Sequence, residues 1–124
     1  MGYTTKFDGE FKFSRGLSGR EAFQLYSFST IRHEEKGCPS IWCDWVPNRE
    51  GTALVWNDDT EKFYKYVEWL QYLIDNYFTN WGIKLNGEMI YQGELAGDCG
   101  VIVVEDNIIT KIPLSKLLKE RSIK

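Results

Sequence analysis

The side chains best suited to chemistry in this chain are a lone histidine, His33, and three cysteines, Cys38, Cys43 and Cys99. Imidazole and thiolate are the common zinc ligands, and four of them suit a tetrahedral structural site. Cys38 and Cys43, with four residues between them, have the spacing of a ligand pair. No second close pair follows, and Cys43 falls within Trp42-Cys43-Asp44-Trp45, a strand-like run where a buried thiol is ordinary. The expectation is of free thiols, no metal and no cofactor. Nucleophilic catalysis by Cys99 would need His33 beside it, and the neighbouring Asp98 opposes a thiolate. Glu88, Glu94 and Asp98 lie in or near the last loops, with Glu68 apart from them. Hydrolysis by a carboxylate pair, or Mg2+ held by several, needs a convergence their spacing does not enforce. The loop Gly93-Glu94-Leu95-Ala96-Gly97-Asp98-Cys99-Gly100 lacks the Lys-Ser/Thr of a phosphate loop and leads into a strand. Turn geometry accounts for its glycines. No catalytic residue is expected.

Groups that bind are more plentiful. Seven Phe, seven Tyr and five Trp make the chain 15% aromatic. From about 60 to 81 the pattern is helical, with Phe63, Tyr66, Val67, Leu70, Leu73, Ile74, Tyr77 and Trp81 on one face. Trp69 falls just outside that stripe, and Tyr64 and Tyr72 well outside it. Trp42 and Trp45 are an odd number of residues apart, so a regular strand points them to opposite sides. Uncovered Trp and Tyr serve protein interfaces and base stacking. The competing expectation is that the N-terminal strand or the C-terminal tail covers them.

The elements that must position these residues can be read along the chain. Phe7, Phe11 and Phe13 alternate with Lys6, Glu10 and Lys12 as in a half-buried strand, with Asp8-Gly9 as a bulge or turn. Ser18-Gly19-Arg20-Glu21 is a capping box opening a helix over about 19–32. Residues 32–40 read as a polar connector. Strands at 41–46 and 52–56 flank turn residues 47–51 and predict a hairpin. Asn57-Asp58-Asp59-Thr60 offers caps for the long helix, which Gly82 ends. Asn86-Gly87 predicts a tight hairpin between 83–85 and 88–92, and Asp106-Asn107 a second between 101–105 and 108–112. The expected fold is one α+β domain over 1–124. It has two layers, an antiparallel sheet of about five to seven strands with two helices, one long, on one face.

Composition excludes several classes. At 43% hydrophobic and 124 residues, the chain has enough apolar side chains for one core. A net charge of −3 with scattered Lys and Arg argues against a nucleic-acid partner. No apolar run approaches a membrane span, and the N-terminal residues lack the apolar stretch of an export signal. The cytoplasm, of a bacterial host cell, is the expected compartment.

The stretch from Trp42-Cys43-Asp44-Trp45-Val46-Pro47 through Gly51-Thr52-Ala53-Leu54-Val55-Trp56 resembles a family of short bacterial and phage proteins with no assigned function. Glu61-Lys62-Phe63-Tyr64-Lys65-Tyr66-Val67-Glu68-Trp69-Leu70, Leu85-Asn86-Gly87-Glu88 and Gln92-Gly93-Glu94 carry the same resemblance. It covers somewhat under half of the chain. It implies an origin in bacteria or their viruses, and such small mobile proteins are often counter-defence factors. The leading expectation is a non-catalytic interaction protein, a phage or mobile-element inhibitor that binds a host protein or a copy of itself. The alternative is a small-molecule binder that sequesters a nucleotide signal, and the third reading is a small enzyme using loop 93–100. Candidate binding residues are Trp42, Trp45, Tyr64, Trp69, Tyr72, Gln92 and Glu94.

Overall fold

In the first strand, β1 (Lys6–Phe13), Phe7, Phe11 and Phe13 are buried while Lys6, Asp8 and Lys12 face outward. Alternation of this kind buries one face of a sheet and wets the other. The computed structural model describes residues 3–58 and 63–116. Its remaining strands are β2 (Trp45–Pro47), β3 (Ala53–Trp56), β4 (Leu85–Gln92), β5 (Cys99–Glu105) and β6 (Ile108–Pro113). They form one six-stranded sheet in the order β2-β3-β1-β4-β5-β6, and each neighbouring pair is antiparallel. Two helices, α1 (Gly19–Ser29) and α2 (Tyr66–Leu73), contribute Leu25, Trp69, Leu70 and Leu73 to a core shared with the sheet's inward residues. The architecture is α+β.

Local chemistry explains the boundaries of α1. The Ser18 hydroxyl accepts from Glu21 N–H while the Glu21 carboxylate accepts from Ser18 N–H, completing the capping box. The helix ends at Ser29, earlier than expected, where Thr30 N–H and Oγ1–H both donate to Ser27 O and close the last turn.

The long helix departs further from expectation. Phe63 and Tyr64 precede it, Lys65 takes a left-handed conformation (φ 59°), and regular α-helix begins at Tyr66. Asp59 and Thr60, expected as caps, lie outside the described residues, as does the tail beyond Lys116. From Ile74 to Phe78 the helix widens to π geometry before Gly82 (φ 71°). The added residue per turn rotates the later side chains about the helix axis. Phe78 becomes fully buried, whereas Tyr77 and Trp81, expected on the core stripe, are only partly so.

Asn86-Gly87 is not a turn. Both residues sit inside β4, paired with β1 and, at Gly87, with β5 as well. The Asn86 carboxamide accepts from Asp106 N–H, so it supports the neighbouring β5–β6 turn. That second expected hairpin is present, with Asp106 and Asn107 both at positive φ. Gly87 (φ 147°) and Gly9 (φ 126°) lie diagonally across the β1–β4 ladder. A Cβ at Gly87 would come within 2.6 Å of the Glu10 carbonyl oxygen, and one at Gly9 within 2.7 Å of that of Glu88. These glycines permit a close strand approach. No helix among the described residues is long and apolar enough to cross a membrane.

Candidate functional site

Among the described residues, the polar connector supplies cover over α2. His33 is buried, its ring centroid 4.1 Å from that of Phe28 and 5.2 Å from that of Trp69. Its Nε2–H donates to the Phe28 carbonyl at 2.8 Å, and its backbone N–H donates to Ile41 O at 2.8 Å. Ser40 then crosses above the helix, where its hydroxyl accepts from Trp69 Nε1–H at 2.7 Å. Trp69 is consequently 0% exposed, a core residue and not the uncovered margin expected of it. Tyr72 is half-buried and stacks on Phe28, with 5.6 Å between centroids and 12° between planes. Burial raises its hydroxyl pKa. Trp45 is likewise fully buried, its Nε1–H donating to Tyr66 O at 2.9 Å.

What remains outside is Trp42 and Tyr64, each 47% exposed. Of the Trp42–Trp45 pair, one ring faces in and one out, as their spacing requires, although Trp42 precedes β2. Together with Ile41 and Ser40 these two rings line a groove of about 300 Å3. Among the described residues, no charged side chain lines it.

A second groove, about 530 Å3, continues the same edge and is lined by Thr4, Lys6, Gln92, Gly93 and Glu94. Tyr3 joins the two. Its N–H donates to Tyr64 Oη at 3.3 Å, and its hydroxyl donates to Asp98 Oδ2 at 2.5 Å. The Asp98 carboxylate holds the Tyr3 hydroxyl pKa above its usual value. Thr4 N–H bonds to the Glu94 carboxylate. Four of the seven candidate residues, Trp42, Tyr64, Gln92 and Glu94, therefore share one edge of the domain. The other three, Trp45, Trp69 and Tyr72, form part of the packing beneath. Tyr3, Ser40 and Ile41 were not foreseen, because nothing in their local pattern distinguishes them from strand and turn residues.

The glycine loop is occupied by its own bonds. Gly93 N–H donates to Asp98 O at 2.7 Å, Asp98 N–H to Leu95 O at 3.1 Å, and Leu95 N–H to Tyr3 Oη at 3.0 Å. These amides are committed, and the carboxylates of Glu94 and Asp98 flank them. Cys99 begins β5 opposite Gln92, while His33 faces Glu35 and Cys38. Cys43 is fully buried, and burial pushes its thiol up to about 12. The cysteines and the histidine thus do not gather as one four-ligand set.

No protein-family model, curated protein or solved structure matches the chain.

Proposed function

We propose that this chain is a non-catalytic interaction protein that docks a partner protein on the Ile41–Trp42–Tyr64 groove. The observation that carries the proposal is the exposure of two large rings, Trp42 and Tyr64, around an uncharged groove. Both are side chains that dominate protein interfaces, because rigid aromatic surface is gained at little entropic cost. Ser40 Oγ lies 3.4 Å from the carbonyls of both residues, and Tyr3 N–H donates to Tyr64 Oη, contacts that reduce the ordering needed on binding.

A protein fits this edge better than a nucleotide. Phosphate would meet Glu94 and Asp98 at the adjoining loop, where the Gly93, Leu95 and Asp98 amides already donate within the chain. Resemblance to short bacterial and phage proteins supports a host protein as the partner and counter-defence inhibition as the outcome.

The test compares capture from bacterial lysate by the wild-type chain and by the Trp42→Ala/Tyr64→Ala double variant, after matched thermal melts show both folded. The proposal requires a protein retained by the wild type and lost by the variant. Equal retention by both, or a concentration-dependent dimer with no captured protein, would displace it. A thermal shift with nucleotides that survives the double substitution would favour the sequestration reading.

A further inference from the structure

The connector that covers Trp69 also brings together three groups of different chemistry. His33 Nδ1 lies 3.8 Å from Glu35 Oε2, and Cys38 Sγ lies 3.6 Å from that same oxygen. All three ligand-type atoms fall within 4.8 Å of one another. Ligands around a tetrahedral zinc ion sit roughly 3.3–3.7 Å apart, from metal–ligand bonds of about 2.0–2.3 Å. The three atoms need only a few tenths of an ångström to about 1 Å of adjustment to meet that spacing.

The buried histidine supplies the decisive detail. A carbonyl can only accept, so the 2.8 Å contact to Phe28 O places the hydrogen on Nε2. In the neutral ring the lone pair is then on Nδ1, directed at Glu35 and Cys38. Metal-bound histidines are commonly oriented in this way, with the second ring nitrogen donating to a backbone carbonyl. Phe28 and Trp69 pack against the ring and restrict its rotation. Tyr72 Oη, 4.0 Å from Cys38 Sγ, adds a neighbour to the thiol.

We infer that His33, Glu35 and Cys38 form a three-residue site for a divalent transition ion of the zinc class, with its remaining coordination open to solvent or a partner. The ligand set is imidazole, carboxylate and thiolate, the mixture that suits Zn2+ and Co2+ and disfavours Mg2+ or Ca2+. Binding exchanges one proton: the Cys38 S–H bond breaks, the sulfur lone pair coordinates the ion, and the proton passes to solvent. Occupancy would tie Cys38 to His33 and so fasten the segment carrying Ser40, Ile41 and Trp42. The inference concerns the isolated chain and does not depend on the docking groove having a partner.

Co2+ serves as the probe, titrated into the metal-stripped full chain near neutral pH. The expected result is a thiolate-to-cobalt charge-transfer band that saturates at one equivalent and is bleached by Zn2+. Cys38→Ser, a near-isosteric change, should abolish the band, while Cys99→Ser should retain it. Glu35→Gln alters an exposed side chain, so folding is preserved, and should weaken affinity roughly tenfold or more, as loss of even an outer-shell partner does. Absence of a band in the wild type, its persistence in Cys38→Ser, or unchanged affinity in Glu35→Gln would overturn the inference. Native mass spectrometry of each titrated sample supplies the stoichiometry independently of the spectrum.

Discussion

Trp69 Nε1–H donates a 2.7 Å hydrogen bond to Ser40 Oγ, joining positions 29 residues apart. Ser40 Oγ also lies 3.4 Å from both Trp42 O and Tyr64 O. The buried indole thus anchors the hydroxyl on which the two exposed aromatic residues converge. This bond links the core of the domain to its candidate interface.

Replacing Trp69 tests that link. Trp69→Ala should cost about 3–5 kcal/mol, from lost burial and the cavity left behind. Trp69→Phe, which retains most of the packing, should cost about 1–2 kcal/mol and leave Ser40 without its donor. Denaturant unfolding gives both values. An Ala variant as stable as the wild type would return Trp69 to the surface role its helical position suggested.

Gly87→Ala should destabilise by at least about 2 kcal/mol, because φ is positive there and the new Cβ meets a backbone oxygen of β1. Were Asn86-Gly87 a surface hairpin turn, the substitution would disturb only a local turn and leave the β1–β4 amides protected. Hydrogen exchange at Phe11 and Lys12 distinguishes the two. The close-approach geometry predicts loss of protection there.

Glu21 makes stability pH-dependent. The Arg15 guanidinium, 2.9 Å from both carboxylate oxygens, and then Ser18 N–H hold its carboxyl at about 2. A folded pKa below the unfolded value of about 4.3 contributes stability above that value, which is lost as pH falls towards 2. Glu21→Gln should flatten the change in thermal midpoint across this acid window and lower the midpoint at neutral pH. An unchanged acid profile would mean that the pair is screened out by solvent.

Thiol labelling should separate Cys43 from Cys99. Cys43 is fully buried with its thiol pushed up to about 12, so it should react only on unfolding, while the partly exposed Cys99 reacts in the native protein. Peptide mapping after a timed alkylation reads this directly. Native labelling of Cys43 at the rate of Cys99 would contradict the burial.

Periodicity and capping chemistry revealed the α+β class, the Ser18 cap, the β5–β6 turn and the hairpin around 47–51. Each of these is decided by neighbours in sequence. The errors arose where distant partners decide. Asn86-Gly87 has the local chemistry of a turn, yet Glu10 and Phe11 of β1 and Asp106 of the far turn claim it for a strand. Trp69 looked peripheral on an ideal helix because part of its covering layer, His33 and Ser40, comes from a segment whose polarity reads as solvent-exposed loop. Trp42 and Tyr64 were legible because no packing overrides their composition. Glu35 was not, since a carboxylate beside a glutamate and a lysine looks like ordinary solvated surface.

The central claim, that a protein docks at Trp42 and Tyr64, is tested most directly by site-specific photo-crosslinking in bacterial cells. A photoreactive phenylalanine analogue at Ile41 samples the groove, and one at Ile90, on the opposite face of the sheet, serves as the control. The account predicts a discrete heteromeric adduct from position 41, absent from position 90 and suppressed by Trp42→Ala in the same chain. Adducts formed equally from both positions, or from position 90 alone, would contradict it.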